Sequence, residues 1–366
     1  MKLKVNKDAA LANLQKIQSV ISTRTTLPIL SNIHFKAEQD RLWLTATDLE
    51  VSVRTSFESE IAKAGGTTLP AKRIISIFRE LAANDIEIEV DDKDQAAIRA
   101  GASFFRIIGL SEDEFPPLPK FEGGKTYTIE QRIFRDMLRN TSYAASKDEN
   151  RYLLNGVLLS FKAGKLTVVA TDGRRMALME QEIEFPKDAE ADLVIPAKTV
   201  DELGRTLGEK GEVRITATGN QVAFEFGDIL LVSKLVDGTY PNFRQVIPAQ
   251  CEERATFVRD ELLTALRRVA VIASEKSNSV TLGFSKNRLE ITVKAPDVGE
   301  ARESIDMKYT GKPINIAFNA EFLMDPLRCL TADEVHLELT DELNPGVMKC
   351  IDPFIYVLMP MRTSAA

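Results

Sequence analysis

Leu69-Pro70-Ala71-Lys72-Arg73, followed by Ile74-Ile75-Ser76-Ile77-Phe78, has a counterpart further along the chain: Ile195-Pro196-Ala197-Lys198, followed by Thr199-Val200-Asp201-Glu202-Leu203. The two prolines stand 126 residues apart. Each copy reads as a strand end, a proline that cannot donate to a β-ladder, and a helix whose first turn carries a cation. A lysine there opposes the helix dipole, so its gain lies outside the fold and hints at an anionic partner. A third version replaces Pro-Ala-Lys with Phe318-Asn319-Ala320, where the Asn319 side chain can cap the helix.

Working outward, the flanking pattern repeats as well. Apolar residues fall at helical spacing as Ala10, Leu11, Leu14, Ile17 and Ile21, then Ile133, Phe134, Met137 and Leu138, then Leu262, Leu263, Leu266 and Val269. This predicts helices over 6–21, 129–145 and 259–276. Two strands joined by a short polar turn follow each: 30–36 with 41–48, 154–161 with 165–172, and 280–284 with 288–293. Next come a strand, the proline-led helix (72–81, 198–207 and 319–330) and further strands at 86–90, 213–217 and 335–339. Offsets stay near 126 from first copy to second and near 122–125 from second to third. A register kept over five elements is far beyond chance.

The expected fold is therefore α+β, with three tandem modules at 1–121, 122–248 and 249–366, each two helices packed on about eight antiparallel strands. Glu114-Phe115-Pro116-Pro117-Leu118-Pro119 and the stretch from Gly238-Thr239-Tyr240-Pro241 to Pro248 separate them. Such short linkers imply end-to-end packing.

At 366 residues the chain exceeds one ordinary core, since domains cluster at roughly 100–150 residues. Hydrophobic content of 44% with 28% charged residues is that of a soluble globular protein, and no run approaches the ~20 apolar residues of a membrane span. Met1-Lys2-Leu3-Lys4-Val5 alternates like a strand and has no signal-peptide apolar region. Three scattered cysteines, Cys251, Cys329 and Cys350, suit neither a disulfide framework nor a zinc site. A cytoplasmic location follows. The net charge of −7 hides an uneven distribution: the six predicted helices sum to +4, leaving −11 elsewhere. Helices sharing one surface would make it weakly basic on an acidic body, fit to hold a polyanion without reading sequence. Ordinary solvated helix faces are the alternative.

At full length these residues resemble the bacterial DNA polymerase III beta subunit, the replication sliding clamp. The resemblance is carried by Thr26-Leu27-Pro28-Ile29-Leu30, Arg151-Tyr152-Leu153-Leu154-Asn155-Gly156, Ala170-Thr171-Asp172-Gly173-Arg174-Arg175, Leu235-Val236-Asp237-Gly238-Thr239-Tyr240-Pro241 and Tyr356-Val357-Leu358-Met359-Pro360-Met361-Arg362. It implies a head-to-tail homodimer closing into a ring whose hole is lined by the helices. The implied function is that of a processivity factor, which encircles duplex DNA without sequence preference and tethers the replicative polymerase catalytic subunit beside its substrate. A clamp loader, together with other polymerases and repair proteins carrying clamp-binding peptides, completes the implied partners. No membrane, cofactor or metal is implied.

The resemblance places a DNA-contacting arginine at Arg24, in a polar loop where a solvated charge is the alternative. Lys72, Arg73, Arg79, Lys198 and Arg205 on the proline-led helices are expected to face the hole, one or two of them forming intermodule salt bridges instead. Lys147 and Tyr152 follow the second module's first helix, with Tyr152 stacking on template bases or belonging to the core. Asp148 and Ser277 depart from residues that some clamps carry. Family members bind peptides of the Gln-Leu-x-Leu-Phe kind between the second and third modules. The matching positions are Leu154, Thr171, Gly173, Arg174, Arg175, Met176, Pro241, Val246, Val357, Leu358, Met359, Pro360, Met361 and Arg362. Two methionines among aliphatics suit an adaptable pocket. The alternative for 356–361 is a buried closing strand, and Thr363-Ser364-Ala365-Ala366 extends the usual ending. Asp48 and Asp172 fall in equivalent Thr-Asp turns, a duplication that favours a structural role. At the dimer seam Phe105 and Ile107 are expected to meet Val271 and Ile272, with Asp297, Glu300 and Glu303 pairing with Lys72 or Arg73.

No enzyme signature survives. Gly124-Lys125-Thr126 resembles the end of a P-loop, but Pro119 occupies the required glycine and a strand follows. His34 and His336 lie in separate predicted strands, and no Cys-x-x-Cys or His-Glu-x-x-His occurs. The rival readings are a repeat scaffold that binds proteins only, and a nucleic-acid-modifying enzyme with an unfamiliar site.

Overall fold

A computed structural model describes residues 1–22, 25–148, 150–273, 278–296, 298–350 and 353–362. Arg24, Ser277, Asp297 and the tail 363–366 lie outside the described residues. Six helices are present among them: α1 (Lys7–Ile17), α2 (Ala71–Glu80), α3 (Gln131–Arg139), α4 (Ala197–Thr206), α5 (Arg259–Ala270) and α6 (Ala320–Cys329), with 25 strands.

The repeat persists down to single hydrogen bonds. The first residue of α1, α3 and α5 donates its backbone N–H to a carbonyl in the loop that follows the second helix of the same copy: Lys7 to Asn84 (2.8 Å), Gln131 to Gly211 (2.9 Å) and Arg259 to Asp333 (2.9 Å). Helix ends α2, α4 and α6 close alike, Leu81 N–H on Ile77, Leu207 on Leu203 and Leu330 on Pro326. Side chains cap the starts of α1 and α6. Asn6 accepts from the N–H groups of Asp8 and Ala9, and Asn319 accepts from Phe322 at 3.3 Å, as its sequence position predicts.

Several helices are shorter than their periodicity. α1 gives way to a 3₁₀ turn over Gln18–Val20, where Gln18-Ser19-Val20-Ile21 brings a serine and two β-branched residues in place of good helix formers. α3 ends before Thr141, whose hydroxyl donates to the Met137 carbonyl at 2.7 Å. Helix α6 runs through Pro326, which has no N–H for the Phe322 carbonyl four residues earlier. The Tyr356 hydroxyl supplies that donor at 2.8 Å.

Two compact units emerge, one of Met1–Ile133 with Lys198–Leu235, the other of Phe134–Ala197 with Val236–Ala366. The first holds a five-stranded and an eight-stranded antiparallel sheet. In the larger sheet the strand Ile229–Lys234 pairs with Val51–Glu58, Leu231 opposite Val53. The second unit holds a four-stranded sheet and another of eight strands, in which Phe354–Leu358 pairs with Arg175–Glu182, Val357 opposite Met176. Expected end-to-end packing thus takes the form of shared sheets. The last strand of one copy satisfies the open edge of the previous copy's strands, so backbone hydrogen bonds, not linkers, join them.

Each helix buries one face. α1 places Ala10, Leu14 and Ile17 in the core, and its buried Asn13 is satisfied by the Thr55 hydroxyl (2.7 Å) and the Ala9 carbonyl (2.9 Å). α2 buries Ala71, Ile74, Ile75 and Phe78 and leaves Lys72, Arg73, Ser76 and Arg79 exposed, the i, i+3/i+4 stripe of an amphipathic helix. Among the described residues no helix is long and apolar enough to cross a membrane, and no cluster of ligating side chains that could hold a metal occurs.

Candidate functional site

In the second unit the strands Gly156–Lys162, Lys165–Thr171, Arg175–Glu182 and Phe354–Leu358 lie side by side. Alternation puts Leu158, Val169, Met176, Leu178 and Val357 on one face, where they join Val194 and Tyr240 in a single apolar cluster. Leu154, Val236, Phe243, Ile247 and Ile355 pack around it, only partly buried. Val246, between Phe243 and Ile247 in sequence, and Met359, next after Leu358, are large apolar side chains left 47% and 45% exposed. An apolar floor with exposed aliphatic and thioether groups suits a short apolar peptide.

The chain end is fixed at two points. Met359 N–H donates to the Arg174 carbonyl at 3.0 Å, and Met361 N–H to Ala317 at 2.7 Å. Val357 and Leu358 are buried, the closing-strand alternative, whereas Met359 and Arg362 are exposed with Pro360 and Met361 in between. Pro241 is exposed.

The Thr171–Arg175 turn is structural, as its duplication implies. Thr171 Oγ1 donates to the Arg175 carbonyl (2.6 Å) and accepts from Gly173 N–H (3.1 Å), while Asp172 Oδ1 accepts from the N–H groups of Arg174 (2.8 Å) and Arg175 (3.0 Å). Gly173 sits at φ +84°, where a glycine is unstrained. In the first unit Asp48 Oδ1 accepts from Glu50 (2.9 Å) and Val51 (2.7 Å) in the same way, with Leu49 at φ +75°.

Arg175 corrects the expectation that its side chain lines the groove. Its guanidinium is buried and engaged by Asp172 (3.1 Å), by Asp325 of α6 (2.5 Å) and by the Tyr143 carbonyl (2.6 Å), and it lies 4.1 Å from the Phe322 ring centroid. Burial works against this charge, but Tyr356 and Asp325 outweigh it and hold the pKa above the ordinary arginine value. The residue ties the turn to α6. The first unit has its own version, in which Asp48 Oδ2 receives the Lys198 ammonium from the first turn of α4.

That contact sorts the expected DNA-facing cations. Lys72, Arg73 and Arg79 are exposed and make no ion pair among the described residues. Lys198 is held by Asp48, and Arg205 lies 3.1 Å from the buried Glu202 carboxylate, which also accepts from Ser19 at 2.5 Å. Lys198 therefore ties α4 to the Asp48 turn and Arg205 pairs within α4, and only part of their charge is left for a polyanion. Lys147 lines a polar cleft of about 540 Å³ with Arg151, Arg174 and Arg328. Tyr152 is 62% exposed, so the core alternative is set aside.

Of the residues expected at a dimer seam, Phe105, Ile107, Glu300 and Glu303 lie on outer strands of their sheets. Ser103–Ile108 is an outer strand of the five-stranded sheet and exposes Phe104, Phe105 and, most of all, Ile108, at 74%. Gly299–Asp306, which carries Glu300 and Glu303, is an outer strand of the four-stranded sheet, and Val271 is also exposed. Ile107 and Ile272 are half-buried. Glu303, expected to meet Lys72 or Arg73, is instead bidentate on Arg268, at 2.9 Å for each oxygen. Sequence reasoning missed Phe104 and Ile108, because the outer position of their strand is set by the sheet order and not by local sequence. It also missed Asp325, 150 residues from its partner, for which Asp172 and Arg175 three apart give the only local hint.

Comparisons with known proteins follow the same three-part division. Residues 1–119, 128–242 and 244–362 match the N-terminal, central and C-terminal domains of the DNA polymerase III beta subunit. The beta sliding clamp of Chlamydia muridarum is 35% identical over 349 residues, 95% of each chain. That of Pseudomonas aeruginosa is 33% identical over 368 residues, 99% of this chain and all of the relative. A crystal structure of the Pseudomonas aeruginosa sliding clamp bound to griselimycin superposes with a TM-score of 0.95 at 32% identity, covering 99% of this chain and 100% of the other. The sliding clamp of Bacillus subtilis gives a TM-score of 0.95 at 29% identity, covering 99% of each. With all three domains matched in order and relatives above 30% identity along the whole length, the chain belongs to the DNA polymerase III beta subunit family, the bacterial beta sliding clamps.

Proposed function

We propose that two copies of this chain join head to tail into a ring around duplex DNA, holding there a polymerase that carries a short apolar peptide. The three modules of each copy run over 1–121, 122–248 and 249–366. The observation that carries this reading is the pair of open sheet edges, Ser103–Ile108 and Gly299–Asp306, in a chain built of tandem copies. An exposed apolar edge strand is an aggregation liability unless another strand covers it. Pairing one edge with the other in a second copy covers both and closes a ring. The exposed cations Lys72, Arg73 and Arg79 of α2, with Arg24, Lys147 and Tyr152, then serve as sequence-independent contacts to DNA.

Such a protein works without catalysis. Topology retains it on DNA, and its groove raises the effective concentration of the enzyme it tethers. The groove runs from Leu154, Gly173 and Arg174 past Met176, Pro241 and Val246 to the 357–362 ending, where clamp loader, replicative polymerase and repair proteins compete. The rival reading, a scaffold binding proteins only, is not favoured by these relationships. The test has two readouts on one protein. Deleting residues 359–366 is expected to abolish capture of a Gln-Leu-x-Leu-Phe peptide while the native mass stays that of a dimer. Unchanged peptide affinity, or a monomeric mass for the intact chain at micromolar concentration, would overturn the reading.

A further inference from the structure

The two eight-stranded sheets are copies of one another, and their registers can be laid side by side. A row of directly opposed residues crosses the second unit's sheet as Val194, Leu158, Val169, Leu178 and Ile355. The same row in the first unit reads Thr68, His34, Thr45, Arg54 and Leu230. What is an apolar floor in one unit is polar and cationic in the other. Above that polar row lies a cavity of about 690 Å³, walled by Trp43 and by Phe115-Pro116-Pro117-Leu118, the counterpart of the Tyr240 stretch. Its size is that of a ligand pocket.

Most polar groups in this floor satisfy one another. The Lys36 ammonium donates to both oxygens of Glu112 (3.1 and 2.9 Å), and His34 Nε2 lies 3.2 Å from the same carboxylate. Arg54 is the exception. Its half-buried side chain lines the cavity, makes no hydrogen bond or ion pair among the described residues, and places its guanidinium 4.9 Å from the Trp43 ring centroid. Glu225 is the acid that acts on it, and that pull does not offset the desolvation. A guanidinium that faces a cavity without an acid paired to it favours an anion or another strong acceptor there. The charges lining the cavity balance, Lys36 and Arg54 against Glu38 and Glu112. A lining without net charge does not attract a polyanion such as DNA, whereas a single carboxylate that pairs with Arg54 and is flanked by uncharged groups fits.

We propose that this cavity is a second peptide site, which takes an acidic residue with its carboxylate on Arg54 and a neighbouring apolar side chain against Trp43 and the Phe115–Leu118 wall. The carboxylate follows from this cavity alone. The choice of a peptide rests on the reading of the second unit's groove, to which the site is related by the repeat.

Trp43 is the only tryptophan in the chain, so its emission reports on the site directly. The intact protein is titrated with acetyl-Leu-Glu-Leu-amide and with its glutamine counterpart. A saturable change in Trp43 emission is expected with the acidic peptide, at least tenfold weaker with the glutamine peptide and with Arg54→Met. It is expected to be unaltered by removal of residues 359–366. Arg54→Lys, which keeps the charge and loses the fork, should fall between and guards against a folding defect in Arg54→Met. Equal response to both peptides, the same response to sodium acetate at the same concentration, or no response to either peptide would each overturn the proposal. Since Gln-Leu-x-Leu-Phe capture is measured separately, failure here leaves the groove assignment standing, and failure there leaves the carboxylate on Arg54 standing.

Discussion

Replacing Arg175 by methionine, which keeps the length of the side chain and removes its charge, isolates the contribution of the turn-to-helix tie. The wild-type guanidinium makes charged contacts to Asp172 and Asp325, donates to the Tyr143 carbonyl and stacks on Phe322. Breaking a buried ion pair by removing one partner costs about 3–5 kcal/mol, because the other charge is left without compensation. Two features place this case near the lower limit. Asp172 and Asp325 retain 16% and 21% of their side-chain exposure, and Arg328 stays 2.9 Å from Asp325. A loss of about 3 kcal/mol is expected, roughly a hundredfold in the local opening equilibrium. It should appear as faster amide exchange in the Phe354–Leu358 strand, which pairs directly with the strand that Arg175 begins. Because Met359 hangs on the Arg174 carbonyl, peptide capture should weaken in parallel. In Asp325→Asn the loss should be smaller, and combined with Arg175→Met it should be less than additive. A change below 1 kcal/mol, with exchange in that strand unaltered, would refute the role assigned to Arg175.

The α2 cations and the α4 cations should separate by salt. On short linear duplexes Lys72→Ala, Arg73→Ala and Arg79→Ala should each lower the slope of log affinity against log salt by about 0.9, the value for one phosphate contact. Lys198→Ala should lower it less, because Asp48 competes for that ammonium, and a larger effect at Lys198 than at all three α2 positions would contradict this division. Acid should destabilise the protein through its two histidines. Burial is the leading cause that lowers the pKa of both His34 and His336 below the ordinary 6.5. Below about pH 6.5 the unfolded chain therefore binds more protons than the folded one, and stability falls with pH in that window. At His34 the neighbouring Glu112 opposes this shift and Lys36 adds to it. Thermal melting followed from pH 7.5 to 5 should fall less steeply in His34→Gln than in the wild type, and an equal or steeper fall would count against a His34 whose pKa is lowered by burial.

The threefold repeat is legible in the sequence because its signals are local. Helical periodicity, a proline before Ala71 and Ala197, and the side-chain cap at Asn319 are set within a few residues of one another. The sharing of sheets is not legible, since nothing local to Val51–Glu58 states that its partner is Ile229–Lys234. The groove is half legible. Its floor follows from strand alternation at Leu158, Val169 and Met176, whereas the fate of Arg175 depends on Asp325 and Phe322, about 150 residues on. Lys198 shows the same limit. An exposed cation at a helix start looks like a polyanion contact until Asp48 is found beside it. At the expected seam, Phe105 and Ile107 stand out by composition, but it is the edge position of the whole strand that leaves Phe104 and Ile108 uncovered.

The central claim is topological, and retention on DNA tests it most directly. Protein loaded by a bacterial clamp loader onto nicked circular DNA should remain bound through a high-salt wash that removes ordinary phosphate contacts, then dissociate when one cut makes the circle linear. Equal retention on the circle and on the cut molecule would contradict an enclosing ring.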